Sequence, residues 1–361
     1  MKKICFLSGD MSRCGGTERV LAIIANELCK KEDLFEIHIL NITNDSMESF
    51  FCLDKRIKMG RVLKKSNINF KRNYFNVVKG IKRYVKANKI DVFIDVDVLS
   101  CIFSIPVTKL ENIKHISWEH FNFFQNNGTK LRDIARKIAA KCSDYIITLT
   151  EEDKKNYIKN LNIRGKIDYI YNPMDNNGDE ECNIDSKQIL SVGALRYAKG
   201  FDILCDVAKD VLNKNPQYKW LILGEGEERD KLEKKINEYH LNSKLILVGN
   251  VSDVDYYYKN SALYVMTSRF EGLPMTLLEA KNYKLPIVSF DCKTGPSEII
   301  RDNVNGYLVK ANDVREMSNK INTILQDDKK LKEFKSKANL DIEKFNLNSI
   351  IDKWTSLLVS I

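Results

Sequence analysis

The run Ser268-Arg269-Phe270-Glu271-Gly272-Leu273-Pro274-Met275-Thr276-Leu277-Leu278-Glu279-Ala280 places two carboxylates on either side of a glycine turn and a proline. Proline suits the first helical position, where its missing N–H would be unpaired anyway, so Pro274 is expected to open a helix. The N–H groups of Met275, Thr276 and Leu277 then have no partner within that helix. They present partial positive charge to an anion such as a diphosphate. Glu271, just before the helix, and Glu279, one to two turns inside it, flank the anion at different depths, one able to bind sugar hydroxyls and the other ribose hydroxyls. Two glutamates at this spacing are ordinarily a surface pair; Glu-Gly-Leu-Pro at a strand end argues against that here.

A second glycine cluster lies near the start of the chain, in Ser8-Gly9-Asp10-Met11-Ser12-Arg13-Cys14-Gly15-Gly16-Thr17-Glu18. Gly15 and Gly16 at a helix N-terminus let backbone N–H groups approach an anion closely, and the helix dipole favours negative charge there. The spacing is not G-x-G-x-x-G, so a dinucleotide fold gains little support. A plain tight turn is the competing reading.

Positioning these residues requires strands alternating with helices. Short apolar or β-branched runs at Lys3–Leu7, Phe35–Asn41, Ile90–Asp95, Ile113–Trp118, Asp144–Leu149 and Ile167–Tyr171 read as strands of a first α/β domain. Between Asn172 and Ser186 the pattern breaks into turn formers, which places the interdomain linker there. Alternation resumes with Gln188–Val192, Lys219–Leu223, Lys244–Val248, Ala262–Met266 and Pro286–Phe290. The expected fold class is α/β, two doubly wound Rossmann-like domains facing a central cleft, with domains at 1–172 and 187–345. The stretch 346–361, apolar at Ile350, Ile351, Trp354, Leu357, Leu358 and Ile361, reads as a one-sided helix docking back on the first domain.

With 361 residues the chain is long enough for two domains, and 43% hydrophobic with 30% charged residues excludes disorder as the main state. Nine cysteines, an odd number without a C-x-x-C pair, read as a reducing compartment with no structural zinc and no metal site. No apolar run is long enough for a signal-peptide core or a membrane span, so a cytoplasmic protein is expected. The net charge of +9 is uneven: Lys55 to Lys89 holds thirteen Lys or Arg and no Asp or Glu. Such a tract seeks an anionic surface, unless it is only a solvated face. Within it, a helix over Tyr74–Lys86 would set Val77, Val78, Ile81, Tyr84 and Val85 opposite Lys79, Lys82, Arg83 and Lys86, the profile of a helix at a membrane interface or packed on the sheet with only its charges outward.

Several motifs, in order along the chain, carry a resemblance to a known family. They are Gly15-Gly16-Thr17-Glu18-Arg19, Ser117-Trp118-Glu119-His120, Val192-Gly193-Ala194-Leu195-Arg196-Tyr197-Ala198-Lys199-Gly200-Phe201-Asp202 and Leu223-Gly224-Glu225-Gly226-Glu227. The Glu271-to-Glu279 run follows, then Thr294-Gly295-Pro296-Ser297-Glu298 and Asn305-Gly306-Tyr307-Leu308-Val309. The chain resembles the retaining glycosyltransferases of family 4, of bacterial surface-polysaccharide type, which have the GT-B fold. That resemblance implies transfer of a sugar from a nucleotide donor, with retention and without a metal or other cofactor. It implies that Glu271 holds the donor sugar through O3 and O4, that Glu279 holds the ribose, and that Arg196 and Lys199 neutralise the leaving diphosphate. His120 would contact the sugar's O6 or support the developing positive charge. Gly249, Asn250 and Val251 would read the base, uridine by the habit of bacterial relatives, while Gly295 and Ser297 approach the donor. Many members carry an arginine directly after the Val-Gly pair; this chain has Ala194 there, and Arg196 stands two positions on in the same loop.

The expected function is therefore a glycosyltransferase adding a hexose or N-acetylhexosamine from a UDP-sugar to a lipid-linked glycan in surface polysaccharide assembly. It would sit at the inner face of the cell membrane, held through Lys55–Lys89. A nucleotide-sugar 2-epimerase of the same fold would form product without an acceptor. A nucleic-acid-binding module is the reading from another class, and the basic tract carries no recognised motif for it, so nucleic acid is not an expected partner.

Overall fold

The computed structural model describes residues 1–64, 72–126, 128–174 and 180–361. The chain forms two compact units, Met1–Pro173 with Asn348–Ile361, and Met174–Leu347. The first is built from β1 (Lys2–Ser8), α1 (Gly16–Cys29), β2 (Phe35–Thr43), β3 (Lys58–Leu63), α2 (Tyr74–Asn88) and β4 (Val92–Asp95). It continues with α3 (Cys101–Leu110), β5 (Lys114–Trp118), α4 (Leu131–Cys142), β6 (Tyr145–Thr148), α5 (Glu151–Asn160) and β7 (Lys166–Tyr169). The second holds β8 (Gln188–Val192), α6 (Phe201–Lys214), β9 (Lys219–Leu223), α7 (Arg229–Glu238), β10 (Leu245–Gly249), α8 (Val254–Lys259) and β11 (Leu263–Met266). There follow α9 (Met275–Asn282), β12 (Ile287–Asp291), α10 (Pro296–Ile299), β13 (Gly306–Lys310), α11 (Val314–Leu325) and α12 (Asp328–Ser336). The last helix, α13 (Leu347–Ser360), returns to the first unit.

Both sheets are parallel throughout. The first has the order β3-β2-β1-β4-β5-β6-β7, the second β10-β9-β8-β11-β12-β13. In each the chain winds outward in two directions from a central pair, β1 and β4 or β8 and β11. Ligands of such sheets gather beyond the carboxyl ends of the strands, at that reversal. Central strands are apolar on both faces because helices cover both sides: in β1, Ile4, Cys5, Phe6 and Leu7 are all fully buried. The helix α1 buries Val20, Leu21, Ile24 and Leu28 on one face.

Three sequence expectations gain detail from the structure. The edge strands β3 and β13 were not among the expected strands, since Lys58–Leu63 is half polar and lies within the basic tract. The expected linker is not free along its described length: Cys182 N–H donates to Tyr283 O and Asn183 N–H to Lys259 O, each at 2.7 Å, within the second unit. In α2 the apolar stripe packs inward, with Val77, Ile81 and Val85 buried in a core that also holds Leu40 and Phe93. That helix therefore inserts nothing from this stripe into a bilayer. Two of the four cations assigned to its outer face are also engaged, Lys82 and Lys86 with Glu111 at 3.4 and 3.3 Å. Lys65, Phe70 and Lys71 of the basic tract lie outside the described residues.

Candidate active site

Lys199 and Glu271 come from the loops that follow β8 and β11, the two strands at the reversal of the second sheet. Their side chains meet: Lys199 Nζ lies 2.7 Å from Glu271 Oε1. Ser268 Oγ donates to the same oxygen at 2.7 Å, and Thr294 Oγ1 donates to the Glu271 carbonyl at 2.9 Å. Glu271 is only 8% exposed, so its carboxylate is held between a cation and a hydroxyl with little freedom to rotate. Gly295, with φ +99°, closes the arrangement; a Cβ there would stand 2.6 Å from the Gly272 carbonyl oxygen and from Pro274. Leu273 is buried beneath this turn.

At α9 the structure shifts the expected helix start by one residue. Pro274 is the N-cap, and the helix begins at Met275. Leu277 N–H donates to Pro274 O at 3.1 Å, so of the three amides expected to face an anion, Leu277 is removed and Met275 and Thr276 remain. Leu277 is fully buried and serves the core. Glu279 is half-buried, and Tyr258 OH donates to its Oε2 at 2.8 Å from a stack of Tyr258 on Tyr283. Gly249 ends β10 with φ +90°, and a Cβ there would meet Glu225 Oε1 at 2.9 Å; Asn250 and Val251 follow at the surface of the second unit. Arg196 is exposed. Ser297 is also exposed and hydrogen-bonds to the Asp291 carboxyl, whose pKa burial raises.

In the first unit, Gly15 is the N-cap of α1 and Gly16 its first residue. A side chain at Gly15 would collide with the Glu18 carboxylate, while the space beside Gly16 is open. Burial raises the Glu18 pKa at this helix start. His120 follows β5 and is 7% exposed, its ring centroid 4.2 Å from that of Trp118. Burial pushes its pKa down to about 4, so the imidazole is neutral near pH 7. Its Nε2 is buried with no hydrogen-bond partner among the described residues. Behind it, Trp118 packs against Trp354 of α13 at 4.9 Å.

Comparison with known proteins bears on the family and the fold. Residues 14–177 match the family described as Glycosyltransferase Family 4, and residues 175–341 match Glycosyl transferases group 1. The amylovoran biosynthesis glycosyltransferase AmsD of Erwinia amylovora is 31% identical over 377 residues, covering 99% of this chain and all of that protein. The chain belongs to glycosyltransferase family 4. Another relative, from Campylobacter jejuni, is 27% identical over all of this chain and 99% of its own length. It is an α-1,4-N-acetyl-D-galactosaminyltransferase named for an acceptor carried on pyrophosphoryl-undecaprenol. Among solved structures, a Staphylococcus aureus TarM variant in complex with fondaparinux, α-GlcNAc-glycerol and UDP matches with a TM-score of 0.84 at 19% identity, over 99% of this chain and 100% of that one. The fold is GT-B.

Of the residues expected from the sequence of this glycosyltransferase, the structure joins Lys199, Glu271, Gly272 and Gly295 into one cluster of interlocked loops. His120 and the Gly15-Gly16 turn lie in the other unit. Unexpected was what holds the His120 segment. Glu119, fully buried, accepts from Arg136 Nε at 2.9 Å, Tyr157 OH at 2.7 Å and Arg132 Nη1 at 3.3 Å. Arg136 also donates to the carbonyls of Asn122, Phe123 and Gln125. Arg132 forms a fork on Asp97 at 2.8 and 2.9 Å. The available signal was two arginines four positions apart on the Ala135–Ala139 face of α4, where a surface helix would carry apolar residues.

Proposed function

We propose that the protein transfers a hexose or N-acetylhexosamine from a UDP-sugar, with retention at the anomeric carbon, to a lipid-linked glycan acceptor. The observation that carries this reading is the Lys199–Glu271 pair, set at the reversal of the second sheet beside the amides of Met275 and Thr276. Glu271 accepts hydrogen bonds from hydroxyls of the donor sugar. Lys199, with two further N–H bonds to give, and Arg196 take up charge on the departing diphosphate, the role a metal fills in other transferases. Glu279, held by Tyr258, accepts from the ribose hydroxyls. In the first unit, neutral His120 keeps a hydrogen-bonding nitrogen without a positive charge.

Retention follows from front-face attack: the bond from the anomeric carbon to the diphosphate oxygen breaks, and the acceptor oxygen bonds to the same face. The acceptor's proton passes to the departing diphosphate, so no carboxylate nucleophile is needed. The uridine assignment is supported by the fold-related TarM structure, which holds UDP. The acceptor class is supported by the Campylobacter relative's undecaprenol-linked substrate.

Membrane docking completes the reading. No helix among the described residues is long and apolar enough to cross a membrane. The outward face of α2 carries Lys79 and Arg83, with Phe75 at 82% exposure on the same face. These groups suit an anionic leaflet, each cation contributing about 1 kcal/mol. Incubation of a UDP-sugar panel with a polyprenyl-linked acceptor, in the presence of a chelator, tests the whole proposal. A product whose anomeric proton coupling matches the donor's supports it; inversion, metal dependence, or an epimerised nucleotide sugar formed without acceptor overturns it. Charge removal at Lys79 and Arg83 should lower binding to anionic vesicles and leave donor hydrolysis unchanged.

A further inference from the structure

Lys199 and Glu271 are 72 positions apart in the chain, and a flexible lysine on a loop does not find a carboxylate at 2.7 Å unaided. Arg269 makes the most contacts between the two loops. The Arg269 backbone N–H donates to Ala198 O at 2.8 Å, and its Nη1 donates to Tyr197 O at 2.8 Å. Its guanidinium forks onto the Asp202 carboxylate, Nη1 to Oδ1 and Nη2 to Oδ2, both at 2.7 Å. The guanidinium carbon also lies 4.1 Å from the centre of the Tyr197 ring. Arg269 therefore fixes residues 197, 198 and 202, on both sides of Lys199, while standing two positions before Glu271 on its own loop.

The backbone between these contacts leaves no slack. Gly200 has φ +66°, and a Cβ there would stand 2.0 Å from Thr267 O; Thr267 Oγ1 in turn donates to Gly200 O at 3.0 Å. Asp202 lies in the first turn of α6, where its negative charge also suits the helix dipole. With side chains 14% and 19% exposed, Arg269 and Asp202 are shielded enough to hold one geometry. Among the described residues the side-chain hydrogen bonds of Arg269 and Asp202 run to Tyr197 O and to each other, not to Glu271, Lys199 Nζ or Glu279.

We propose that Arg269, clamped on Asp202 and Tyr197, is the positioning residue that sets the reach of Lys199 toward Glu271, and so toward the diphosphate and sugar of the donor. This rests on the role given above to Lys199 and Glu271. A lysine at 269 keeps the charge but cannot form the fork or lie flat on Tyr197. Arg269→Lys and Asp202→Asn should each lower kcat about 10- to 100-fold, the cost of misplacing a reacting group by about an ångström. The affinity for UDP should stay within about threefold, because neither side chain is in the nucleotide site.

The experiment measures kcat, donor KM, UDP affinity and melting temperature for Arg269→Lys, Asp202→Asn, Lys199→Ala and the double variant Arg269→Lys with Lys199→Ala. If Arg269 acts through Lys199, the double variant is no slower than Lys199→Ala alone. Additive losses, or losses that follow the melting temperature, would show a merely structural ion pair and overturn the inference. An active Lys199→Ala enzyme would instead overturn the site assignment itself. Should Arg269→Lys fail to fold, Asp202→Asn with and without Lys199→Ala gives the same discrimination.

Discussion

The segment bearing His120 and the loop bearing Lys199 are both fixed by arginine–carboxylate contacts, but at different depths. Glu119 and Arg136 in the first unit are 0% and 1% exposed at the side chain, whereas Arg269 and Asp202 in the second are 14% and 19% exposed. A fully buried pair cannot lose one member without leaving an uncompensated charge away from water. A pair that keeps partial contact with solvent is left less costly when one member is lost, because water reaches what remains. The first segment's geometry is thus inseparable from the folding of its unit, while the second's can be altered in a protein that still folds. A retuned enzyme is easier to reach through the second.

The largest effect that would sharpen this contrast is at Glu119. Glu119→Ala should cost about 3–5 kcal/mol of unfolding free energy by urea denaturation, the range for breaking a buried ion pair. Asp202→Asn should cost clearly less, because the amide keeps an acceptor for Arg269 and the pair is partly solvent-exposed. Equal losses would erase the distinction. Next, Lys199→Ala should remove about 2–4 kcal/mol of transition-state stabilisation, read from kcat/KM, with the melting temperature nearly unchanged.

Third, the two glutamates should part company in UDP binding. Glu279→Gln should weaken UDP by about 1–2 kcal/mol, the worth of a charge-assisted hydrogen bond over a neutral one. Glu271→Gln should not weaken it, since losing this carboxylate frees the Lys199 ammonium for the diphosphate, yet transfer should fall sharply. Calorimetry with UDP reads both, and equal weakening would break the division of roles.

A last contrast, read as a slope and not as a lost activity, concerns pH. The folded-state pKa of His120, about 4, lies below its ordinary 6.5, so between these values the unfolded chain binds a proton that the folded one refuses. Stability is full above pH 6.5 and falls as the pH drops toward 4, by up to about 1.4 kcal/mol per pH unit from this group. Asp153 in the same unit acts in the opposite sense: burial raises its pKa to about 7, and stability falls as pH rises from 3.8. Comparing His120→Gln with the parent cancels the shared Asp153 term. The variant's stability should decline less steeply on acidification from pH 6.5 to 4; identical slopes would mean that the imidazole is not held neutral.

Much of the fold was legible because each central strand is a short apolar run and each helix shows one stripe. The strand Lys58–Leu63 was not, since a parallel edge strand with two cations and a glycine carries no alternation to detect. The Glu271-to-Glu279 run was legible because loop, N-cap and helix are consecutive. The clamp on Lys199 was not, because Arg269 and Asp202 are 67 positions apart and no local pattern links them. Nor does any local signal pair Glu119 with Arg136, which only the packing of α4 against the end of β5 brings together.

The return of α13 to the first unit has a consequence for the order in which the protein is made. Lys2 Nζ donates to the carbonyls of Leu358, Val359 and Ile361 at 3.0, 2.9 and 2.6 Å, and Trp354 covers Trp118. A nascent chain that has emerged only to residue 173 holds every strand of the first sheet but lacks the helix that shields Trp118. The second unit, continuous from 174 to 347, is complete before the first. During synthesis the earlier-made half therefore waits, its aromatic surface open to chaperones or to neighbouring chains, until the ribosome has delivered the final helix.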